Sequence, residues 1–401
     1  MNAQGKGLEQ HEILKVQLMR GEKEQDYLTH IWNLTSMMDH PIIAKEEDQD
    51  EACYRQFYEE AISLCRQKRF HEVLEKCRYT SLDDEEEYSI DVIQPEKIEF
   101  KQNSYEDGEN SIISFPEFLL LVLDVCTGGE QPARHYQPDK LIEKFDALKT
   151  YFTAGEFYEK MLYYRLLLDY YTIRRDIKDG QGNYSLILKG PKDDSDKLKQ
   201  YQSMLYVSTE AFYNWLKPYL RKLEQDELHS CAEMLAFLKK EDNERHSILP
   251  ARKDLSYKAS GNIRYWFWRL DYYLWEQRST FFNEEEQKIV EHYVFRRNRS
   301  IEHLHPQDES HNEEWEEEAV HSFGNLAMIS QSFNSQQSND HIQIKFARIH
   351  EQISNKSLQS IKMFLMCKLA DFNYLNWTMK LTKEHENEMI EFLERSFYIS
   401  D

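Results

Sequence analysis

Long amphipathic stretches, separated by short polar breaks, make up most of the chain. In residues 8–21, apolar side chains recur on one helical face, and the stretch ends on a glycine, a common helix stop. Residues 112–126 form the most apolar run, in which Ser114 and Pro116 are typical of a helix start. Residues 156–177 are again apolar on one side. The pattern predicts a mainly α-helical fold.

Short runs rich in β-branched and aromatic residues interrupt this pattern. Residues 184–190 predict a strand, as do residues 293–301 and 326–329. A helical segment that contains Lys345 follows the last of these runs. We therefore expect a helical bundle region and a C-terminal helical domain, with a ββα unit embedded near residues 293–350.

The amino-acid composition restricts the partners and the cellular compartment that we expect for this protein. The 401 residues include 72 acidic and 50 basic side chains, and the net charge of −22 disfavours a surface for broad, non-specific nucleic-acid binding but allows a local basic groove. The six cysteines are scattered without a C-x-x-C pair, as in reduced, cytoplasmic proteins. The most apolar run contains charged residues and is shorter than the roughly 20 residues of a membrane span, so no membrane partner is expected.

The stretch SIEHLHPQ, residues 300–307, places Glu302 beside His303 where a predicted strand ends. Such a pair can form a metal site, an acid–base pair or a solvated loop. In a strand, the two side chains point to opposite faces. Hydrolysis of a phosphodiester needs a base, which a neutral histidine provides at pH 7, and a hard cation such as Mg²⁺, which prefers oxygen ligands. With Asn325 in Gly-Asn-Leu and Asn334 nine positions later, the arrangement matches the HNH nuclease ββα-metal motif.

Each residue type in this layout has a predicted role. His303 is the general base, and Glu302 and Asn334 are the ligands of Mg²⁺ or another divalent cation. Glu302 could instead pair with a nearby arginine, and Asn334 could cap a helix or a turn. Asn325 belongs to the predicted catalytic group, as the residue that fixes the backbone presenting His303. Lys345, its third member, can neutralise a phosphate or brace the ββα unit.

Basic residues near the motif are the candidates for DNA contacts. They are Arg296, Arg297, Arg299 and Arg348. Residues 262–278 also interleave aromatic residues with arginines. That stretch can stack on bases, or it can be a core helix whose arginines reach the surface, and the second interpretation is favoured.

The motifs IEHLHPQ (301–307) and GNL (324–326), followed by Asn334 and Lys345, resemble the nuclease domain at the C-terminus of GmrSD-type modification-dependent restriction endonucleases. The resemblance implies an HNH-like (His-Me finger) nuclease domain over residues 246–401. It also implies DNA as the substrate, such as modified phage DNA, and a role in antiviral defence.

Residues 1–75 resemble, in patches, the end of the ParB-related NTPase-like domain of the same family. The core of that domain, with its DGQQR-like motif, is not found, so we expect an NTP to act only through a missing or separate NTPase-like domain or subunit. The predicted segments are the end of this domain with a helical linker (1–75), an acidic insertion (76–110), a helical middle domain (111–245) and the nuclease domain (246–401).

Two other functions fit some of these residues. One is a related nuclease that acts on RNA or on unmodified DNA. The other is a helical interaction module with a catalytically dead nuclease fold. The intact set of Glu302, His303 and Asn334 favours an active, metal-dependent nuclease over the inactive module.

Overall fold

The computed structural model of the protein describes most of the chain. The described residues are 9–43, 50–77, 108–129, 136–177, 184–191, 195–208, 211–297, 299–307, 315–330 and 342–398. Residues 78–107, within the predicted acidic insertion, and Asn334 lie outside the described residues. The predictions that fall on them stay predictions.

The chain packs as two compact units. Unit 1 comprises residues 1–195 and 211–231, and unit 2 comprises residues 196–210 and 232–401. The four segments predicted from the sequence stay a prediction about domains, because the two units describe only how residues pack together.

Helices form most of both units, so the prediction of a mainly α-helical fold is confirmed. In chain order they are α1 (Gln10–Met19), α2 (Gln25–Ser36), α3 (Glu51–Arg66), α4 (Phe70–Cys77), α5 (Phe115–Cys126), α6 (Leu141–Leu148), α7 (Ala154–Tyr171), α8 (Ser195–Ser208), α9 (Leu216–Glu224), α10 (Cys231–Arg245), α11 (Ile263–Glu276), α12 (Arg278–Phe281), α13 (Glu284–Val290), α14 (Glu317–Val320), α15 (Ile342–Ser354), α16 (Ile361–Leu369) and α17 (Met379–Arg395). Helices α1–α7 and α9 lie in unit 1, and the others belong to unit 2.

Local sequence explains where several helices begin and end. Helix α5 starts after Ser114, with Pro116 in its first turn, as predicted, and the Glu117 carboxylate accepts the Ser114 N–H at 2.7 Å. Helix α1 is followed by Gly21 at φ +88°, a conformation that glycine adopts without steric cost. The apolar run of α5 is buried as core. Within the described part of the chain, no helix is both long and apolar enough to span a membrane.

A small antiparallel sheet belongs to unit 1. Its strands are β1 (Gly108–Asn110), β2 (Arg174–Ile177) and β3 (Tyr184–Ile187), in the order β1–β2–β3. β3 lies within the run that predicts a strand at 184–190. The helix predicted over 156–177 is too long, because α7 ends at Tyr171 and the following residues pair with two neighbouring strands.

A buried ionic cluster joins α7 to β2 in unit 1. Asp169 is fully buried, and its carboxylate accepts Arg165 Nη1–H at 2.8 Å, Arg174 Nη1–H, and the N–H of Ile42 at 2.6 Å. Arg165 Nη2 also donates to the carbonyl of Met37 at 2.8 Å. The two arginines thus connect the end of α7 to the segment that follows α2. We call this group the Asp169 cluster.

Helix α11 is the central helix of unit 2. It packs against α16 and α17, and nearly all of its side chains are buried. Arg269 of α11 is fully buried and donates to Asp242 at 3.2 Å and to Asn243 at 2.8 Å. Most of the stretch 262–278 is therefore a core helix, as the favoured interpretation predicts. Arg264 reaches the surface, whereas Arg269 bonds inside the protein.

Unit 2 also contains a two-stranded antiparallel sheet, β4 (Arg299–His303) with β5 (Leu326–Ser330), and helix α15 follows in the chain. The order strand, strand, helix is the predicted one. The first strand begins six residues later than the run 293–301 predicts. Tyr293 and Phe295 are buried, and Tyr293 bonds to Asp271 through its hydroxyl group and to Gln200 through its carbonyl, so this run serves packing instead of a strand ladder.

Candidate active site

The end of β4 brings Glu302 and His303 into the interior of unit 2. Glu302 lies opposite Ala327 of β5, and His303 lies opposite Leu326. Both partners in β5 are fully buried, and Glu302 and His303 themselves are 7% and 3% exposed. Because neighbouring side chains on a strand point to opposite faces, the two residues meet different partners.

Glu302 faces helix α15, where it forms an ion pair with Lys345. The ammonium group bonds Glu302 Oε1 and also donates to the backbone carbonyl of His303 at 2.5 Å. Lys345 is 4% exposed. The contact fastens α15 to the end of β4, which favours bracing of the ββα unit, one of the two roles predicted for Lys345.

His303 lies between two polar side chains. Its Nε2 is 3.0 Å from Nδ1 of His321, and its Nδ1 is 2.9 Å from the amide nitrogen of Gln307. The ring of Tyr257 meets His303 edge-on, with 4.5 Å between the ring centroids, and lies nearly parallel to His321 at 5.8 Å. Both ring nitrogens of His303 are therefore engaged within the protein.

The electrostatic setting keeps these imidazoles neutral. Burial, together with neighbouring His321 and Lys345, lowers the pKa of His303 to about 3. Burial also lowers the pKa of His321, and Lys258 adds to the effect. At pH 7, His303 thus carries no charge, and one of its two nitrogens holds a lone pair.

Asn325 is fully buried and bonds entirely inside the protein. Its Oδ1 accepts the N–H of His305 at 2.8 Å and the indole N–H of Trp377 at 3.2 Å. Its Nδ2 donates to the carbonyls of His305 at 3.0 Å and Val320 at 2.8 Å. Asn325 thus links the loops around His303, and its place in the predicted catalytic group stays a prediction.

The surroundings of Gly324 and Leu326 explain the other residue types of the Gly-Asn-Leu segment. A Cβ atom on Gly324 would lie 2.3 Å from the carbonyl oxygen of Thr382 in α17, so only glycine fits there. The ammonium group of Lys362 donates to the carbonyls of Phe323 at 2.8 Å and Leu326 at 2.6 Å. The segment is thus held from both sides.

His305, two residues beyond His303, is a packing residue. Its ring stacks on Trp315 with 3.8 Å between centroids and an interplanar angle of 6°. It is 7% exposed, and burial lowers its pKa to about 4. The stack, with the two backbone bonds to Asn325, holds the loop that follows β4.

The arginines predicted to contact DNA have different surroundings. The Arg297 guanidinium donates twice to the carbonyl of Tyr206, at 3.1 and 3.2 Å, and lies 4.0 Å from the centre of that ring. Arg296 and Arg348 are half-buried. The side chain of Arg299 lies outside the described part of the structure. A DNA contact stays a prediction for each of them.

A cleft of about 550 Å³ lies next to the histidine pair. Tyr257, which touches both imidazoles, lines it together with Ser300 and Ile301 of β4 and Arg264 at the start of α11. Arg264 is exposed. The cleft reaches β4 at Ser300 and Ile301, the two residues directly before Glu302.

The described residues supply few metal ligands. Among them, no group of three or more His, Cys, Asp or Glu side chains is placed to hold a metal ion. The predicted ligand Glu302 is paired with Lys345, and the other, Asn334, lies outside the described residues. The metal assignment of these two residues therefore stays a prediction.

A comparison with protein-family models gave a match for this part of the chain. Residues 240–392 match the model of GmrSD restriction endonucleases, C-terminal domain. The predicted resemblance to the GmrSD family is thereby confirmed for this region, which contains β4, β5, α15 and the whole histidine pair. Comparisons with curated proteins and with solved structures gave no match. The likeness of residues 1–75 to an NTPase-like domain lies outside the matched GmrSD region and stays a prediction.

Two site residues had little signal in the sequence. His321 lies 18 positions after His303, and nothing in its neighbourhood links the two. Gln307 is visible as the last residue of SIEHLHPQ, but a glutamine in a loop indicates no partner. A histidine close before Gly-Asn-Leu is the one cue that could have pointed to His321, since Asn325 holds that segment against the loop after β4.

Proposed function

We propose that the chain is a divalent-metal-dependent DNA endonuclease of the HNH type, the effector part of a restriction system that acts on modified phage DNA in the cytoplasm. The observation that carries the proposal is the strand–strand–helix unit within the matched region, in which β4 ends on Glu302 and His303. A restriction endonuclease hydrolyses phosphodiester bonds, and this unit brings a carboxylate and a neutral imidazole to one place.

In the proposed reaction, His303 is the general base. Its burial keeps it neutral at pH 7, which is the form that accepts a proton. An approaching phosphate, being anionic, raises the pKa of a nearby imidazole and so strengthens it as a base. Asn325 and Lys345 act on His303 through its backbone, since they bond the carbonyls and N–H groups beside it.

The metal part of the proposal depends on Glu302 and Asn334. A site with the single described carboxylate of Glu302 is compatible with Mg²⁺, because this ion commonly takes only one or two carboxylate ligands and keeps several waters. Glu302 provides one carboxylate in the interior, although Lys345 competes for it. When bound, the ion would stabilise negative charge on the phosphate and the leaving oxygen.

The proposed substrate is DNA bound along the basic residues near β4. Arg296, Arg299 and Arg348 are the proposed phosphate contacts, and Arg297 can join them only if it leaves Tyr206. A net charge of −22 opposes the approach of DNA to the rest of the surface. We therefore propose that an NTPase-like partner domain or subunit, using an NTP, assists binding and raises cleavage.

A nicking assay tests this proposal. The full chain is incubated with supercoiled plasmid, with DNA containing glycosylated hydroxymethylcytosine, and with RNA, each with Mg²⁺ and with EDTA. We expect cleavage of DNA that EDTA abolishes and that His303→Ala strongly reduces. The exposed His292 follows helix α13, and its ring contacts the carbonyl of Lys288, so His292→Ala is a matched control that should cleave normally.

Other outcomes of the same assay would contradict the proposal. Cleavage of RNA alone would establish the related nuclease activity instead. Absence of cleavage on all substrates, even with an NTPase-like partner and nucleotide, would favour the inactive interaction module. Full activity of the chain alone, with no gain from partner and nucleotide, would contradict the proposed assistance.

A further inference from the structure

The two contacts of His303 favour one of its two neutral tautomers, with the Gln307 amide nitrogen facing Nδ1. The Gln307 amide nitrogen, 2.9 Å away, can only donate, so Nδ1 of His303 accepts and holds the lone pair. A neutral imidazole has one N–H, which must then be on Nε2. That nitrogen lies 3.0 Å from Nδ1 of His321, which accepts the N–H when its own proton is on Nε2.

We propose that His321 is a positioning residue that holds His303 in the tautomer with a proton-accepting Nδ1, and that Gln307 covers this nitrogen until substrate arrives. The inference rests on the proposed nuclease function, in which His303 is the base. It adds His321 to the proposed site and specifies the side from which the reacting water approaches His303. The water approaches Nδ1, on the side of Gln307, and His321 holds the opposite side of the ring.

His321 is itself held firmly. It is 9% exposed, its carbonyl accepts the N–H of Tyr257 at 3.0 Å, and its N–H bonds the carbonyl of Glu317 at 3.1 Å. The Tyr257 ring lies against both imidazoles. A residue that served only to fill space would not need its Nδ1 aimed at Nε2 of His303.

Asn325 connects the two ends of the histidine pair. It bonds the backbone of His305, two residues beyond His303, and the carbonyl of Val320, directly before His321. One buried amide therefore fixes the spacing between the loops that carry the two imidazoles. Through this link, the Gly-Asn-Leu segment positions both imidazoles although the segment itself is buried.

The chemical step follows from this arrangement. A proton moves from the attacking water to Nδ1 of His303 while the water oxygen forms a bond to phosphorus, and the bond from phosphorus to the leaving oxygen breaks with its electron pair going to that oxygen. Nε2–H stays donated to His321, whose lone pair stabilises the imidazolium. A carboxylate does the same for the histidine of serine hydrolases.

Gln307 is placed as a movable cover. It is exposed and lies in the loop after β4, whereas His321 is buried between Tyr257 and His303. Rotation of the glutamine side chain exposes Nδ1 without disturbing the bond between the two histidines. Because Gln307 is exposed, a phosphodiester can approach Nδ1 from solvent once the glutamine side chain has moved.

The test compares substitutions on the two sides of His303 under single-turnover conditions, on DNA that the wild-type chain cleaves. Loss of a residue that orients a reacting group commonly costs about 10–100-fold, and we expect that loss for His321→Ala. His321→Asn should recover most of the rate, because its Oδ1 can accept Nε2–H. Gln307→Ala should lose much less than His321→Ala, and His292→Ala should match the wild type.

A second readout does not depend on cleavage. In long-range ¹H–¹⁵N spectra of the substrate-free full chain, with histidine labelled and His303→Gln used for assignment, His303 should be the Nε2–H tautomer in the wild type and in His321→Asn. It should become a mixture in His321→Ala. If the nuclease proposal fails because nothing is cleaved, this spectrum still decides the role of His321.

The inference is overturned by any of three results. The first would be cleavage by His321→Ala at the rate of His292→Ala. The second would be a larger loss of rate in Gln307→Ala than in His321→Ala. The third would be a wild-type spectrum that shows the proton on Nδ1 of His303. Failure of His321→Asn to recover the rate, with the Nε2–H tautomer retained, would show that the imidazole is needed for more than accepting this hydrogen bond and would overturn the positioning role.

Discussion

The Asp169 cluster of unit 1 and the Glu302–His303 site of unit 2 are both buried and polar, yet they differ in what they can do. Asp169 is bound by two arginines and a backbone N–H. Arginine does not lose its proton in proteins, so this cluster has one protonation state and one arrangement. The site in unit 2 instead pairs two neutral imidazoles, which can exchange protons.

This difference teaches how to separate structural polar groups from reactive ones. Burial alone does not distinguish them, since Asp169 and His303 are both almost inaccessible. The distinguishing features are a group that can change its protonation state, an exposed neighbour that can move, and a cleft nearby. Unit 2 has all three in His303, Gln307 and the cleft beside Tyr257.

The largest effect on stability is expected at the Asp169 cluster. Asp169→Ala leaves two buried guanidinium groups without their carboxylate, and breaking a buried pair in this way costs about 3–5 kcal/mol. Denaturant unfolding of the full chain measures it. Asp146, in a half-exposed pair with Lys149, is the matched control, and Asp146→Ala should change the unfolding free energy by less than about 1 kcal/mol. Equal losses in the two variants would contradict a special role for the buried cluster.

The next effect is expected at Asn325. Asn325→Ala removes four hydrogen bonds and leaves the indole N–H of Trp377 and the carbonyl of Val320 buried without a partner, at a cost of roughly 2–3 kcal/mol. Cleavage should fall as well, because both loops of the histidine pair lose their link. Thermal unfolding and a nicking assay on the same samples check this. Lower stability with full cleavage would separate Asn325 from the site.

A smaller effect is expected at Gly324. Gly324→Ala places a methyl group against the Thr382 carbonyl, and such overpacking typically costs about 1–3 kcal/mol. Gly261→Ala is the control, since no atom lies within 4 Å of its added methyl group. The difference between the two melting temperatures measures the cost of placing a methyl group at Gly324 against the Thr382 carbonyl. Equal melting temperatures would mean that α17 does not pack tightly on the Gly-Asn-Leu segment.

The smallest effect is expected from acid. His303 is neutral in the folded chain down to a pKa of about 3, whereas in the unfolded chain it protonates near its usual 6.5. Its stabilising contribution is therefore complete above pH 6.5 and is lost as the pH falls towards 3, by roughly 1–2 kcal/mol at pH 5. The loss of melting temperature between pH 7 and pH 5 should be smaller in His303→Gln. An identical loss in both proteins would show that His303 is not held neutral.

How much the sequence revealed differs between the fold and the site. Helical periodicity and caps located the main helices, because apolar spacing and the Ser114–Pro116 start are local properties. The strand predicted at 293–301 was placed too early, because Tyr293 and Phe295 use their apolar side chains for packing while the backbone pairing starts at Arg299. Composition cannot distinguish these two uses of the same residue types.

The sequence points to candidate site residues but not to their contacts, and the roles of these residues stay predictions. Glu302 and His303 are adjacent in the sequence, so the motif identifies them directly. The pairing of Lys345 with Glu302 and of His321 with His303 joins positions 43 and 18 residues apart, and only the packing of α15 and of the Gly-Asn-Leu segment brings them together. For the same reason, a predicted metal ligand, Glu302, proved to have a cation as its partner.

The most direct test of the account compares cleavage rate and stability in His303→Ala. A general base contributes about 10²–10⁴-fold to rate, so single-turnover cleavage of DNA with Mg²⁺ should fall by that factor, while DNA binding is retained and the melting temperature shows a folded protein. His292→Ala, measured alongside, should cleave like the wild type. If His303→Ala cleaves DNA at the wild-type rate, His303 is structural like Asp169, and the end of β4 is not the catalytic site.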